Sequence, residues 1–196
     1  MLIQIINLGL GNIISIENWL NAIGKNYSII NEDIKVHDET DITFVLPGVA
    51  NSIDYLHNLK SFTNLYDQIK NKRFNKIIGI CAGFQVLCRQ VEENGEEAQG
   101  LSIIPAVSSD RLQPIYNNGW GATRILNDIP NSISVRKNVY FNHSCGVFPK
   151  NNFQAFDLNK KGFANSYLTK NIVGLQFHPE KSGSFGIELG KYIFDV

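Results

Sequence analysis

The stretch Gly79-Ile80-Cys81-Ala82-Gly83 sets a thiol between two glycines. It lies where an apolar, β-prone run over residues 77–80 gives way to a helix-period pattern over residues 83–91. This G-x-nucleophile-x-G spacing is that of a nucleophile elbow, a sharp strand-to-helix turn whose small neighbours let the reactive atom project clear of the backbone. A helix N-terminus behind the sulfur favours thiolate, and the amide of Ala82 points where an oxyanion would form. A buried structural cysteine fits the same five residues equally well.

Two other segments bear on that choice. In Gln176-Phe177-His178-Pro179-Glu180, an extended chain would put His178 and Glu180 on one face, and Pro179 confines the segment to a strand end or sheet edge. A carboxylate beside an imidazole holds its tautomer, and the imidazole can then take a thiol proton. Alone, the segment also reads as surface groups at a strand end. Leu46-Pro47-Gly48-Val49 leaves a strand end, where glycine allows a peptide to turn its amide toward an oxyanion; an ordinary β-turn is the bland alternative. Elbow cysteine and His-Pro-Glu in one chain, in that order, suggest a Cys-His-Glu triad.

The elements that must position these groups alternate. Residues 2–6 read as a strand, and residues 13–23 as a helix with Ile13, Ile16, Leu20 and Ile23 on one side. Strands follow at 27–30 and 42–46, a helix at 53–69, the strand at 77–80 and the helix at 83–91. Short strands at 139–141, 153–156 and 172–177 and a last helix at about 185–194 complete the chain. This rhythm predicts one α/β domain over residues 1–196, with a mostly parallel central sheet, helices on both faces and antiparallel additions in the C-terminal half. Asn7-Leu8-Gly9-Leu10-Gly11-Asn12 reads as a tight strand–helix turn and not a dinucleotide loop, because the third glycine of that motif would fall at Ile14.

Composition narrows the classes further. The 196 residues carry 18 Lys and Arg against 18 Asp and Glu, so no long-range field attracts nucleic acid or anionic lipid. No apolar stretch approaches the roughly 18 residues that cross a bilayer, and residues 1–6 lack the basic start of an export signal. Cys81, Cys88 and Cys145 are too few and too irregularly spaced for a disulfide framework or a zinc site, which points to a reducing, cytoplasmic setting. No cluster implies a metal or organic cofactor.

The ordered set Pro47-Gly48-Val49, Gly79–Gln85 and Phe177–Glu180 resembles the class I (triad) glutamine amidotransferases. Within them it is most similar to the glutaminase subunits of imidazole glycerol phosphate synthase. Gly9-Leu10-Gly11-Asn12, Gly119-Trp120, Phe141-Asn142-His143-Ser144, Lys181-Ser182 and Gly186 extend the likeness over nearly the whole chain. The resemblance implies hydrolysis of L-glutamine, with ammonia passed through a tunnel to a partner synthase. By position it implies Cys81 as nucleophile, His178 as general base and acid, and Glu180 as its orienting carboxylate. It further implies oxyanion amides at Val49 and Ala82, and substrate contacts at Gly48, Gln85, Glu93, Ser144 and Cys145. Asn12, Trp120, Tyr140 and Lys181 match positions that face the synthase. His37 and His57 read as surface residues, and His143 as a packing or interface residue.

Several positions depart from the family pattern: Ala50 where glycine is usual, Ala82 for leucine, Cys145 for an aromatic residue, Asn7-Leu8 for Asp-Tyr, and Gly121 for asparagine. Cys145 reads as a small pocket wall, with a redox role the lesser alternative. The departures leave open a paralogue feeding a different synthase, such as one amidating a surface sugar. The remaining alternatives are a free-standing γ-glutamyl hydrolase and a non-catalytic binding subunit.

Overall fold

The computed structural model describes residues 2–33, 41–48, 51–112, 116–123, 137–151 and 155–195. Its first half follows the expected alternation: β1 (Leu2–Ile6), α1 (Ile13–Ala22), β2 (Tyr27–Ile30), β3 (Ile42–Leu46), α2 (Ser52–Ser61), α3 (Thr63–Lys70), β4 (Lys76–Ile80) and α4 (Ala82–Gln85). The second half is richer in strands: β5 (Cys88–Glu93), β6 (Glu96–Gln99), β7 (Ile104–Ser109), β8 (Asn117–Thr123), β9 (Lys137–His143), β10 (Gly146–Pro149), β11 (Phe156–Leu158), β12 (Ala164–Leu168) and β13 (Ile172–Leu175). A 3-10 turn at Pro179–Lys181 leads into the closing helix α5 (Gly183–Asp195).

One eleven-stranded sheet runs β2-β1-β3-β4-β13-β12-β10-β7-β5-β6, with β11 on β12, among the described residues. From β2 to β13 all pairs are parallel. Beyond β13 the pairing turns antiparallel, apart from β5 with β7. β3 and β4 are buried at every position, as parallel strands covered on both faces must be. Alternate side chains point to opposite layers. Phe44, Leu46 and Ile77 pack with α2 and α3, while Val45, Ile78 and Ile80 pack with α1 and α5.

Two helix expectations change. Residues 53–69 form two helices broken at Phe62, whose amide turns back to the Leu59 carbonyl. The break is fixed by Asp33, whose carboxylate accepts from the Asn64 and Leu65 amides and the Thr63 hydroxyl, capping α3 from another loop. The helix expected over 83–91 stops after one turn. The carbonyls of Val86, Leu87 and Cys88 accept from Leu101, Ile103 and Ser102, so the chain continues as β5. Of the strand expected at 153–156, residues 153 and 154 lie outside the described residues, and β11 starts at Phe156. The strand expected at 172–177 ends at Leu175.

The consequence for chemistry is geometric. β3, β4 and β13 are adjacent and parallel, with Leu46 beside Gly79 and Leu175 beside Ile80. Their C-terminal ends share one edge, the place where open α/β sheets gather ligands. Gly48, Cys81 and His178 are each within three residues of those ends.

Candidate active site

Cys81 leaves β4 with φ 51° and ψ −111°, a conformation that costs a non-glycine residue about 1–3 kcal/mol and marks the sharp elbow. Its amide is anchored to the Leu175 carbonyl at 2.7 Å. The turn is possible because Gly79 and Gly83 are bare. A Cβ on Gly79 would stand 2.5 Å from the Gly83 carbonyl oxygen, and one on Gly83 would collide with the Leu46 carbonyl. Ala82, the first residue of α4, has no acceptor for its amide within the helix. Since α4 is a single turn, its dipole is a small influence on the sulfur; neighbouring side chains are the larger one.

The thiol is 3% exposed. Its Sγ donates to the Asn142 carbonyl at 3.4 Å, and the Gln176 amide nitrogen approaches the sulfur at 3.9 Å. His178 lies across from it. The Nδ1 of His178 donates to Glu180 Oε1 at 2.7 Å, and the Glu180 side chain is only 2% exposed. The pair meets through the 3-10 turn and not along an extended strand, because Pro179 starts the turn directly after His178. The backbone of His178 is pinned to the Tyr140 carbonyl at 2.8 Å, and Ser182 Oγ bridges the His178 carbonyl and the Tyr140 amide.

Burial alone would lower the His178 pKa, but the nearby Cys81 sulfur, together with the hydrogen bond and charge of Glu180, pushes it up to about 10. Nε2 makes no hydrogen bond of normal length to protein. Cys81 is near it without closing the contact, a separation that substrate commonly tightens. Gly48 lies between them: a Cβ there would be 2.8 Å from His178 Cε1 and 3.0 Å from Cys81 Cβ. The structure thus brings together Gly48, Cys81, His178 and Glu180, drawn from three separate stretches of chain.

A cavity of about 400 Å³ opens on this group, lined also by Gln85, Glu93, His143, Ser144 and Cys145. Gln85 Nε2 and His143 Nδ1 both donate to the Cys145 carbonyl, at 3.2 and 2.8 Å, and fix the backbone of that wall. His143 is neutral at physiological pH, since burial pushes its pKa down to about 4. Burial and the Glu93 carboxylate push the Cys145 thiol up, which disfavours the reactive thiolate. Glu93 is 4% exposed and ends β5 at a two-residue Asn94-Gly95 hairpin.

Comparison with known proteins agrees with this geometry. The family Glutamine amidotransferase class-I matches residues 4–189. The chain belongs to that family. Imidazole glycerol phosphate synthase subunit HisH of Staphylococcus epidermidis is 30% identical over 190 residues, covering 96% of this chain and 94% of the relative. The same subunit of Staphylococcus aureus is 30% identical over 191 residues, with the same coverage. Among solved structures, a glutamine amidotransferase superposes with TM-score 0.71 at 11% identity, covering 98% of this chain and 97% of that one. A glutamine amidotransferase of Thermotoga maritima gives 0.62 at 18%, covering 100% and 84%. These structural likenesses show the fold.

The amidotransferase is a glutamine-hydrolysing enzyme, and its remaining expected residues divide in two. Val49 and Ala50 lie outside the described residues, as does His37. Of Asn12, Trp120, Tyr140 and Lys181, two line the cavity and Tyr140 packs edge-on against His178. Asn12 caps α1 through the Ser15 amide, and both Asn12 and Lys181 line the cavity. Trp120 packs edge-on against Tyr140, with the Lys181 ammonium 5.7 Å from the Tyr140 ring. Trp120 itself is 63% exposed. Tyr116, 79% exposed in the same cavity lining, carried no signal in the sequence beyond being aromatic. Gln176, Ser182 and the Asn142 carbonyl were also missed as contacts, although Asn142 and Ser182 sit inside the matched motifs and Gln176 directly precedes one.

Replacing Gly48 by Ala tests the tightness of this arrangement. The added methyl must displace either the imidazole or the thiol. Displacement near 1 Å costs about 100-fold in rate, so glutamine turnover of Gly48→Ala is expected to fall by that order while its thermal midpoint changes little. Paired activity and melting measurements check it.

Proposed function

We propose that this amidotransferase is the glutaminase subunit of a two-component synthase, and that the synthase is imidazole glycerol phosphate synthase of histidine biosynthesis. The observation that carries the reading is one cavity lined by Cys81 and His178, with Glu180 bonded behind the imidazole, in a chain whose HisH relatives match 96% of it. Cys81 Sγ attacks the side-chain amide carbon of L-glutamine with its proton already on His178, the form that the raised pKa of the imidazole favours. The oxyanion so formed meets the free amide of Ala82. His178 then gives its proton to the departing nitrogen, and ammonia leaves a γ-glutamyl thioester. Water attacks the thioester with His178 as base, releasing glutamate and restoring the thiol. Glu180 holds the ring throughout and favours its protonated form.

Glu93 supplies the carboxylate for the substrate's α-ammonium, and the fixed Ser144–Cys145 backbone receives its carboxylate end. Ammonia passes to the synthase, which docks over Asn12, Trp120, Tyr140 and Lys181. A second acceptor is favoured by one feature of that face: Gly121 leaves room for the Phe141 ring, 3.1 Å from where a Cβ would stand, so the hairpin is shaped unlike one with asparagine there. Such a chain would feed another synthase by the same chemistry.

Co-purification with the native partner separates these readings. The complex is expected to hydrolyse glutamine far faster when the acceptor for imidazole glycerol phosphate synthesis is present, and the chain alone to be nearly idle. Equal turnover with and without a synthase would identify a free-standing hydrolase. Stimulation only by a sugar acceptor would identify the paralogue.

A further inference from the structure

Ser52 opens α2, and its side chain is fully buried outside the cavity lining. Its backbone amide donates to Glu93 Oε2 at 2.7 Å, and its hydroxyl donates to the same oxygen at 2.5 Å. The first amide of a helix has no acceptor within the helix, so this one is satisfied by a carboxylate from a strand 41 residues away in sequence. The next two amides, of Ile53 and Asp54, are taken by the Asn51 side chain. Glu93 is therefore held on Oε2 by two donors, and its side chain lines the cavity beside Cys145.

We infer that Ser52 is a positioning residue for glutamine recognition, fixing Glu93 so that its carboxylate is presented to the substrate's α-ammonium. The inference rests on the proposed role of Glu93 and adds to it a residue that never touches substrate. It also gives the contact a second reach. α2 follows directly on the β3 connection that carries Gly48, so one buried link joins the amine-recognising wall to the segment packed against Cys81 and His178. Without the hydroxyl, the Glu93 carboxylate keeps only the backbone donor and gains freedom to rotate away from the amine.

The test is the dissociation constant of L-glutamine, measured by calorimetry on the full chain in a Cys81→Ala background that prevents turnover. The probe compared with it is 4-carbamoylbutanoate, which lacks only the α-amine. Ser52→Thr keeps the hydroxyl, and Ser52→Val matches threonine in shape without it. Ser52→Val is expected to weaken glutamine binding about tenfold, the size of one lost hydrogen bond to a charged group, with 4-carbamoylbutanoate unchanged and Ser52→Thr near the parent. Equal glutamine affinity in the Val and Thr variants, alongside clear weakening by Glu93→Gln, overturns the role of Ser52 and leaves that of Glu93 standing. No change in Glu93→Gln instead removes the amine-recognition reading itself. Loss of both ligands equally in Ser52→Val assigns the residue to folding and also overturns the inference.

Discussion

Cys81→Ala, assembled with the proposed synthase, is expected to lose glutamine-dependent synthesis by at least ~10⁴-fold, because deleting the proposed nucleophile removes the covalent route entirely. Synthesis from added ammonium salt should stay near the parental rate, since that route bypasses the cavity. The two assays on one preparation separate chemistry from assembly. A misfolded or undocked subunit would disturb the complex that ammonia-fed synthesis also reports. Glutamine-fed synthesis at a comparable rate in the variant would falsify the assignment of the nucleophile. The loop itself should survive the change. Alanine suffers the same strain as cysteine at φ 51°, and the lost sulfur contacts are the 3.4 and 3.9 Å approaches of Asn142 and Gln176.

Glu180→Gln should be almost as damaging, by about 10³–10⁴-fold in kcat, because a neutral amide neither stabilises the imidazolium nor enforces its tautomer. The pH behaviour has a definite sign. In the parent, burial opposes protonation of His178, yet Cys81 and Glu180 raise its pKa from the ordinary 6.5 to about 10. A raised folded pKa contributes stability that is fully present below the unfolded value and is lost as pH climbs through the folded one. The His178 contribution is therefore complete below about pH 6.5 and gone by about pH 10. With glutamine at residue 180, one of the two raising partners is removed and the folded pKa falls, so the loss completes at lower pH. Thermal midpoints of parent and variant, followed from pH 6 upward, should differ most at the acid end and converge as pH rises. Parallel curves across the range would show that Glu180 does not hold the proton on His178.

How far the sequence disclosed this arrangement depended on whether a signal was local. The elbow was legible because Gly79 and Gly83 are demanded by backbone atoms only a few residues away or on the neighbouring strand. The first parallel strands were legible because burial on both faces writes an unbroken apolar run. The helix expected over 83–91 was misread for a non-local reason. Val86, Leu87 and Cys88 suit either period, and the carbonyls that ended the helix were claimed by residues 101–103. The Asn94-Gly95 pair was a hairpin signal in plain view, with both residues at positive φ, but the helix reading ran up to its edge. β8, the sequence NNGWGAT, has almost none of the branched residues that announce strands, and among the described residues it pairs only with β9. Ser52 illustrates the limit best. A serine at a helix start reads as a cap, and nothing nearby reveals that its hydroxyl is committed to a carboxylate on another strand.

Among the described residues β8 and β9 form a two-stranded sheet of their own, and Trp120 in the middle of β8 is exposed. β9 supplies the two carbonyls, of Tyr140 and Asn142, that grip the backbone of His178 and the sulfur of Cys81. A load on Trp120 would bear first on Tyr140, its direct cross-strand partner, whose carbonyl holds the His178 backbone.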